Sequence, residues 1–281
     1  MNQPQLARAF QALHQAATFV IPNVWDGGSA AVMAGLGFQA LATSSSACAA
    51  TLGRLDGEIT RAEALAHARL ITALSPLPVA ADLENGFGAA PEVVADTIRL
   101  AAEAGLVGGS IEDASGDERA PLYGFAHAVE RVAAAAEAAR QLPFPFVLTA
   151  RAEGFLYGGV DLEDTLRRLQ AFERAGADVL FAPGLPDLPA VRSVCAALRR
   201  PVNFMVGMRD RSFSVPELAA AGVRRVSLST SLYRSAMAGL AAAGREVMQS
   251  GTFTYLEEAM PSGELGSYLR GLQRQVPSQK V

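Results

Sequence analysis

Along the chain, short apolar runs alternate with longer stretches in which apolar residues recur at helical spacing. Eight runs read as strands: 18–25, 38–44, 78–83, 106–112, 145–151, 178–182, 201–206 and 224–229. They are mostly continuous rather than alternating in polarity, as expected of parallel strands buried on both faces. Helical periodicity fills the intervals near 27–36, 60–73, 91–104, 126–141, 161–175, 187–198, 215–221 and 231–249. Gly35, Gly105, Gly176 and Gly222 follow helical runs and suit left-handed helix ends, and Pro91 suits a helix start. Eight strand–helix alternations predict an α/β fold, a (β/α)8 TIM barrel. Residues 1–15 predict a leading helix, and 252–275 one or two trailing helices. The chain reads as a single barrel domain over 1–281, with 250–275 as a C-terminal helical extension and a polar tail from about 274.

Composition narrows the chemistry. The chain has 281 residues, is 50% hydrophobic and 19% charged, and carries a formal net charge of −4. That charge argues against a nucleic-acid partner, which needs a basic face. Of the 24 Lys plus Arg residues, all but Lys280 are Arg. A lysine next to the chain end offers no fixed position for Schiff-base or phosphate-loop chemistry. His14, His67 and His127 each fall within a predicted helix, where a histidine is ordinarily packed or solvated, so a catalytic triad or a histidine-ligated zinc is not expected. Cys48 and Cys195 are too few for a zinc site or a disulfide framework and fit a reducing compartment. Neither a signal peptide nor a membrane-length apolar run is evident, so a cytoplasmic protein without a membrane partner is expected.

The predicted strand ends hold what chemistry remains. The first carries Asn23, Trp25 and Asp26; the second Thr43, Ser44, Ser45 and Ser46; the third Asp82, Glu84 and Asn85; the fourth Glu112 and Asp113; the fifth Arg151 and Glu153; the seventh Asn203. In a barrel of this kind these ends form one mouth. Two acidic pairs and an isolated arginine are expected to point into it. Crowded carboxylates repel, and a divalent cation such as Mg²⁺ relieves that repulsion. An arginine there suits a substrate carboxylate or phosphoryl group, and the Ser44–Ser46 turn offers hydroxyls and amides to an anion.

The segments ADLENGFG (81–88), SIED (110–113) and TARAE (149–153), with LATSSSACAATLGRLDGE (41–58) and GVRRVSLSTSLYRSAM (222–237), resemble the phosphoenolpyruvate mutase/isocitrate lyase superfamily over about residues 5–260. The resemblance implies a helix-swapped barrel, with the exchanged helix supplied by the C-terminal region, and a homotetramer built as a dimer of dimers. It also implies Mg²⁺ (or Mn²⁺) and a small α-oxo carboxylate handled through an enolate. By position, Asp82 matches the principal metal ligand, Glu84, Glu112 and Asp56 match acids of the metal's water network, and Ser44, Ser45 and Ser46 match the substrate-binding turn. Arg151 matches the substrate-binding arginine. Trp25 and Asn203 join the expected substrate-binding set.

Departures from the family pattern bear on the reaction. The loop ASGDERAPLYGF (114–125) lacks the Lys, Cys and His of the lyase gating loop. Where phosphonate enzymes carry Lys-Thr-Asn it has Glu118, Arg119 and Ala120. Glu84 stands where the family has Asp, and Ala182 and Pro183 stand where a His is common. The expectation is a Mg²⁺-dependent lyase or decarboxylase cleaving a C–C bond beside a small α-oxo carboxylate, oxaloacetate-like or 2-methylisocitrate-like. Arg151 and Glu112 are expected at the reacting groups, and Tyr123 as the proton donor. The alternatives are a P–C bond enzyme and a barrel that binds an oxo acid without turnover.

Overall fold

The computed structural model describes residues 1–157 and 161–275; Lys280 and the rest of the polar tail beyond 275 lie outside the described residues. The eight expected strands are present: β1 (Phe19–Ile21), β2 (Leu41–Ala42), β3 (Val79–Asp82), β4 (Gly108–Glu112), β5 (Val147–Arg151), β6 (Val179–Phe181), β7 (Val202–Met205) and β8 (Arg225–Ser227). Neighbours pair in parallel from β2 in sequence to β8, and β8 pairs with β1. A bridge between Asn23 and Ala42 brings the first and second staves together, giving the (β/α)8 barrel.

The helices are α1 (Gln3–Leu13), α2 (Gly27–Gly35), α3 (Ser45–Thr51), α4 (Arg61–Leu74), α5 (Pro91–Glu103), α6 (Phe125–Arg140), α7 (Gly154–Tyr157), α8 (Leu162–Ala175), α9 (Leu188–Ala197), α10 (Val215–Ala220), α11 (Ser231–Ser250) and α12 (Ser262–Gln275). Of these, α3 and α7 were not expected, because segments of one or two turns are too short to display a period. The expected end at Gly35 is also displaced. Gly37, at φ 92°, takes the left-handed conformation instead. Gly35 is the last residue of α2, and the Tyr268 ring of α12 lies where a Cβ on Gly35 would point. Its lack of a side chain thus serves helix packing rather than chain reversal.

Two apolar shells sit between the strands and the surrounding helices, one including Ile98, Leu106, Ile111 and Leu148, the other Leu169, Leu180, Val191 and Phe204. A third cluster fills the lower barrel. Here α1 plugs the end, driving Phe10 against Phe19, Ile21, Ala80, Val107, Val147 and Val179. A Cβ on Gly108 would meet the Phe10 ring at 2.8 Å and the Val147 carbonyl at 2.9 Å, so only glycine lets the plug seat. Fully buried aromatics of this kind typically contribute 3 to 5 kcal/mol, roughly, relative to alanine. Above the plug many of the inward-facing residues are small or polar, and the barrel opens into a cavity. Among the described residues no helix is long and apolar enough to cross a membrane.

Candidate active site

The cavity occupies the C-terminal mouth and upper shaft of the barrel, with a volume of about 390 Å³. Alternation along β5 explains how it is built. Val147 faces the apolar plug, while Thr149 and Arg151 line the cavity on successive inward steps. The other strands contribute similarly, with Asp82 from β3, Ser110 and Glu112 from β4, Asn203 from β7 and Ser227 from β8. Ser44, Ser45, Ser46, Asp56, Glu84 and Glu153 complete the polar wall. Nine of the expected site residues therefore share one cavity: Ser44, Ser45, Ser46, Asp56, Asp82, Glu84, Glu112, Arg151 and Asn203.

Arg151 is the hub. Its Nη1 lies 2.9 Å from Asp82, its Nη2 3.2 Å from Glu112 and its Nε 2.8 Å from Glu153. It is therefore not the isolated guanidinium expected from sequence. Burial works against its charge, but Glu153, Glu112 and Asp82 outweigh that and raise its pKa, keeping it firmly protonated. Burial pushes Glu112 well above the ordinary carboxylate range and raises Glu153 as well, with Arg151 opposing both shifts.

The serines do not form an open turn. Ser44 caps α3, its Oγ accepting from the Ala47 amide, and Ser45 and Ser46 begin the helix. Ser45 is turned toward the acids: its hydroxyl lies 2.9 Å from Asp56 Oδ1 and 3.1 Å from Asp82 Oδ2, and its amide donates to Asp82 Oδ2 at 3.4 Å. Asp82 is further fixed by the Glu84 amide and the Ser110 hydroxyl, both donating to Oδ1. Burial and the neighbouring Asp82 raise the Asp56 carboxyl.

Glu84 occupies a strained backbone position at φ 49°, in a loop where Phe87 is also at positive φ, 61°. Such positions cost on the order of 1 kcal/mol or more each and persist only where the surroundings hold them. Arg131 of α6 supplies that hold. It is 1% exposed, stacks over the Tyr123 ring, and donates to the carbonyls of Asn85, Gly88 and Ala89. Glu84 Oε1 is buried with no hydrogen-bond partner. Burial, with Asp82 and Asp56 nearby, pushes its carboxyl up to about 7.

Three expected residues lie elsewhere in the structure. Asp113 does not join the mouth: it is 2% exposed, pairs with Arg168 of α8 at 3.1 Å and accepts the Glu153 amide at 2.8 Å. Adjacent strand residues face opposite sides, so Glu112 points inward and Asp113 outward toward the helices. Tyr123 is not among the residues lining the cavity; its ring packs between Arg131 and His127. Trp25 is likewise not among them: its ring meets Tyr233 edge to face, and its carbonyl accepts from His67 Nε2. Around the expected gating loop, Glu118 and Arg119 are exposed.

Tyr157 and Arg225 are among the cavity residues that sequence reasoning missed. Tyr157 ends α7, a helix too short to read from the sequence, and lines the mouth with its phenol pKa raised by burial and by Glu112. Arg225 begins β8 inside the barrel, where its position in an apolar strand gave no cue. Oxygen donors for a cation are present in Asp56, Asp82, Glu84 and Glu112, although among the described residues no three His, Cys, Asp or Glu side chains converge as a preformed metal cage.

The chain matches the phosphoenolpyruvate phosphomutase family over residues 10–248. It belongs to the phosphoenolpyruvate mutase/isocitrate lyase superfamily. A solved structure from Burkholderia cenocepacia, described only as a lyase/mutase, superposes with a TM-score of 0.92 at 49% identity, covering 95% of this chain and 96% of that one. A 2-methylisocitrate lyase from Salmonella typhimurium is 32% identical over 209 residues, 71% of this chain and 70% of the relative. An oxaloacetate decarboxylase from Ectopseudomonas mendocina is 28% identical over 241 residues, covering 83% and 81%. Superfamily relatives are thus lyases, decarboxylases and mutases.

Proposed function

We propose that the protein is a Mg²⁺-dependent carbon–carbon lyase acting on a small α-oxo carboxylate, with decarboxylation of an oxaloacetate-like substrate as the preferred reaction. The observation that carries this reading is the charge imbalance at the barrel mouth, where Asp56, Asp82, Glu84, Glu112 and Glu153 surround Arg151. One guanidinium cannot neutralise them, and the buried Glu84 Oε1 is left without a partner. Carboxylates spread around a wet cavity suit Mg²⁺, which takes one or two directly and reaches the others through its waters. Asp82 would hold the ion, with Glu84, Glu112 and Asp56 on its waters. When bound, the ion supplies a Lewis acid for the α-oxo and carboxylate oxygens.

The protein's own groups do the rest. Arg151 offers a planar fork to the substrate carboxylate once Asp82 or Glu112 releases one of its arms. The hydroxyls of Ser44 and Ser46 border the same space and stabilise developing negative charge, while Ser45 orients Asp56 and Asp82. Cleavage beside the oxo group leaves an enolate whose carbon needs a proton, and Tyr157 is the phenol at the mouth that can give it. Decarboxylation demands little more proton-transfer machinery, which accords with a loop lacking Lys, Cys and His. Glu118, Arg119 and Ala120 in that loop disfavour the P–C alternative.

The assembly we infer is a homo-oligomer, a tetramer of helix-swapped dimers. Its support is α11, which buries none of its residues in the single chain, and the exposed Leu240, Met248, Phe253 and Leu256 on and beyond it. Light scattering after size exclusion tests this; a monomer at micromolar concentration contradicts it. Calorimetric titration with Mg²⁺, then with pyruvate or oxalate, tests the site. Mg²⁺-dependent binding of both acids is expected, and binding unaffected by chelator contradicts the reading.

A further inference from the structure

Arg225 is 6% exposed and sits inside the barrel rather than at its mouth. Its Nε donates to Asn203 Oδ1 at 2.8 Å, its Nη2 to Thr149 Oγ1 at 2.9 Å, and its Nη1 lies 3.3 Å from His14 Nε2. The His14 Nδ1 is 2.9 Å from the Phe10 carbonyl, which fixes the proton there and leaves Nε2 to accept. All three partners are neutral. Among the described residues no carboxylate pairs with Arg225, and three of its five N–H groups are accounted for.

A buried cation served only by dipoles is costly, because desolvation removes several kcal/mol of hydration, on the order of magnitude typical for such groups. Burial lowers its pKa to about 9, which still leaves it charged at neutral pH. Arg225 also borders the cavity, together with Asn203, Thr149 and Ser227. The shaft above it is kept open by small residues, Ala42, Ala80 and Gly109, where a packed barrel would carry branched side chains. The floor of the site is thus an uncompensated guanidinium with open space over it.

Its depth sets a length. Thr149, which Arg225 touches, and Arg151 are inward-facing residues two apart on β5, about 7 Å along the strand. An anion held at one end by Arg151 and the serines can therefore place a second anionic group on Arg225 only if the two lie a few bonds apart.

We propose that Arg225, with Asn203, Thr149 and Ser227, forms a specificity subsite for the second carboxylate of the substrate, making the preferred ligand a short α-oxo dicarboxylate rather than a monocarboxylate. This rests on the reading of the mouth as an α-oxo acid site and adds the requirement for a remote charge. Asn203 and Thr149 act as positioning residues, holding the guanidinium against the barrel wall with its remaining N–H groups toward the cavity.

The test is calorimetry at saturating Mg²⁺ with pyruvate, which lacks the second carboxylate, and 3,3-difluorooxaloacetate, which carries it. The wild-type protein is expected to prefer the dicarboxylate by at least about tenfold, as for a charge-assisted pair. Arg225→Gln is expected to abolish that preference while leaving pyruvate affinity within about twofold. Thr149→Val keeps the side-chain volume and the Arg225 charge, and is expected to reduce the preference by about threefold; it serves if Arg225→Gln does not fold. An unchanged preference in both variants, or equal affinities in the wild type, overturns the subsite while leaving the mouth reading intact. Failure of the wild type to bind either ligand overturns the mouth reading, and the subsite with it.

Discussion

Arg151 of β5 reaches across the barrel mouth to Asp82 of β3, Nη1 to Oδ1, at 2.9 Å. The same guanidinium holds Glu112 and Glu153, so one side chain offsets part of the negative charge on three buried or half-buried acids. Removing it leaves those acids unpaired. Arg151→Met is expected to lower unfolding free energy by about 3 to 5 kcal/mol in urea. Arg151→Lys keeps a charge but loses the fork, and is expected to weaken oxalate binding by about tenfold at modest cost in stability. Unchanged oxalate affinity in the lysine variant contradicts a substrate-binding role.

Asp82 accepts from Ser45, Ser110 and the Glu84 amide as well as from Arg151, so truncating it would disturb packing and function together. Asp82→Asn separates the two. It is expected to hold the melting temperature within a few degrees while weakening Mg²⁺ affinity on the order of tenfold or more, by loss of the formal charge. Titration calorimetry showing wild-type Mg²⁺ affinity contradicts its assignment as the principal ligand.

The two tyrosines separate competing proton donors. Tyr157→Phe is expected to lower kcat on oxaloacetate by about a hundredfold with the fold intact, the usual scale for a general acid. Tyr123→Phe, whose ring packs under Arg131, is expected to change kcat by less than about threefold. The reverse ordering, measured by following pyruvate formation, restores Tyr123 to the site.

His14 gives a pH dependence. Burial, and then the Arg225 charge, drive its pKa from 6.5 down to about 3, so the folded protein keeps it neutral while the unfolded chain takes up a proton near 6.5. Its contribution to stability is full above the unfolded value and is lost as pH falls toward 3, with a limiting slope of about 1.4 kcal/mol per pH unit. In melting curves, wild type is expected to exceed His14→Gln at pH 7.5, with the gap narrowing toward pH 5. A gap that widens on acidification contradicts this.

The sequence carried the architecture because buried parallel strands and amphipathic helices leave different periods, and all eight strands fell inside the apolar runs. It carried much of the mouth because strand ends are where a barrel displays polar side chains. What it could not carry was direction and partnership. Glu112 and Asp113 are adjacent and chemically alike, yet one faces the shaft and the other Arg168, 55 positions further on. Arg225 reads as one of two arginines opening an apolar strand, and only closure of the ring brings it to Thr149 and His14. The Ser44–Ser46 hydroxyls were visible, but not that Ser45 already serves Asp56 and Asp82.

The most direct measurement is ¹³C NMR of labelled oxaloacetate with the protein, in Mg²⁺ and in excess chelator, against Mg²⁺ alone. We expect pyruvate and carbon dioxide to form well above the rate with free Mg²⁺, and chelator or Asp82→Asn to bring that rate down to the background. A rate no greater than free Mg²⁺ gives, or one untouched by chelator, contradicts a metal-assisted lyase at this barrel mouth.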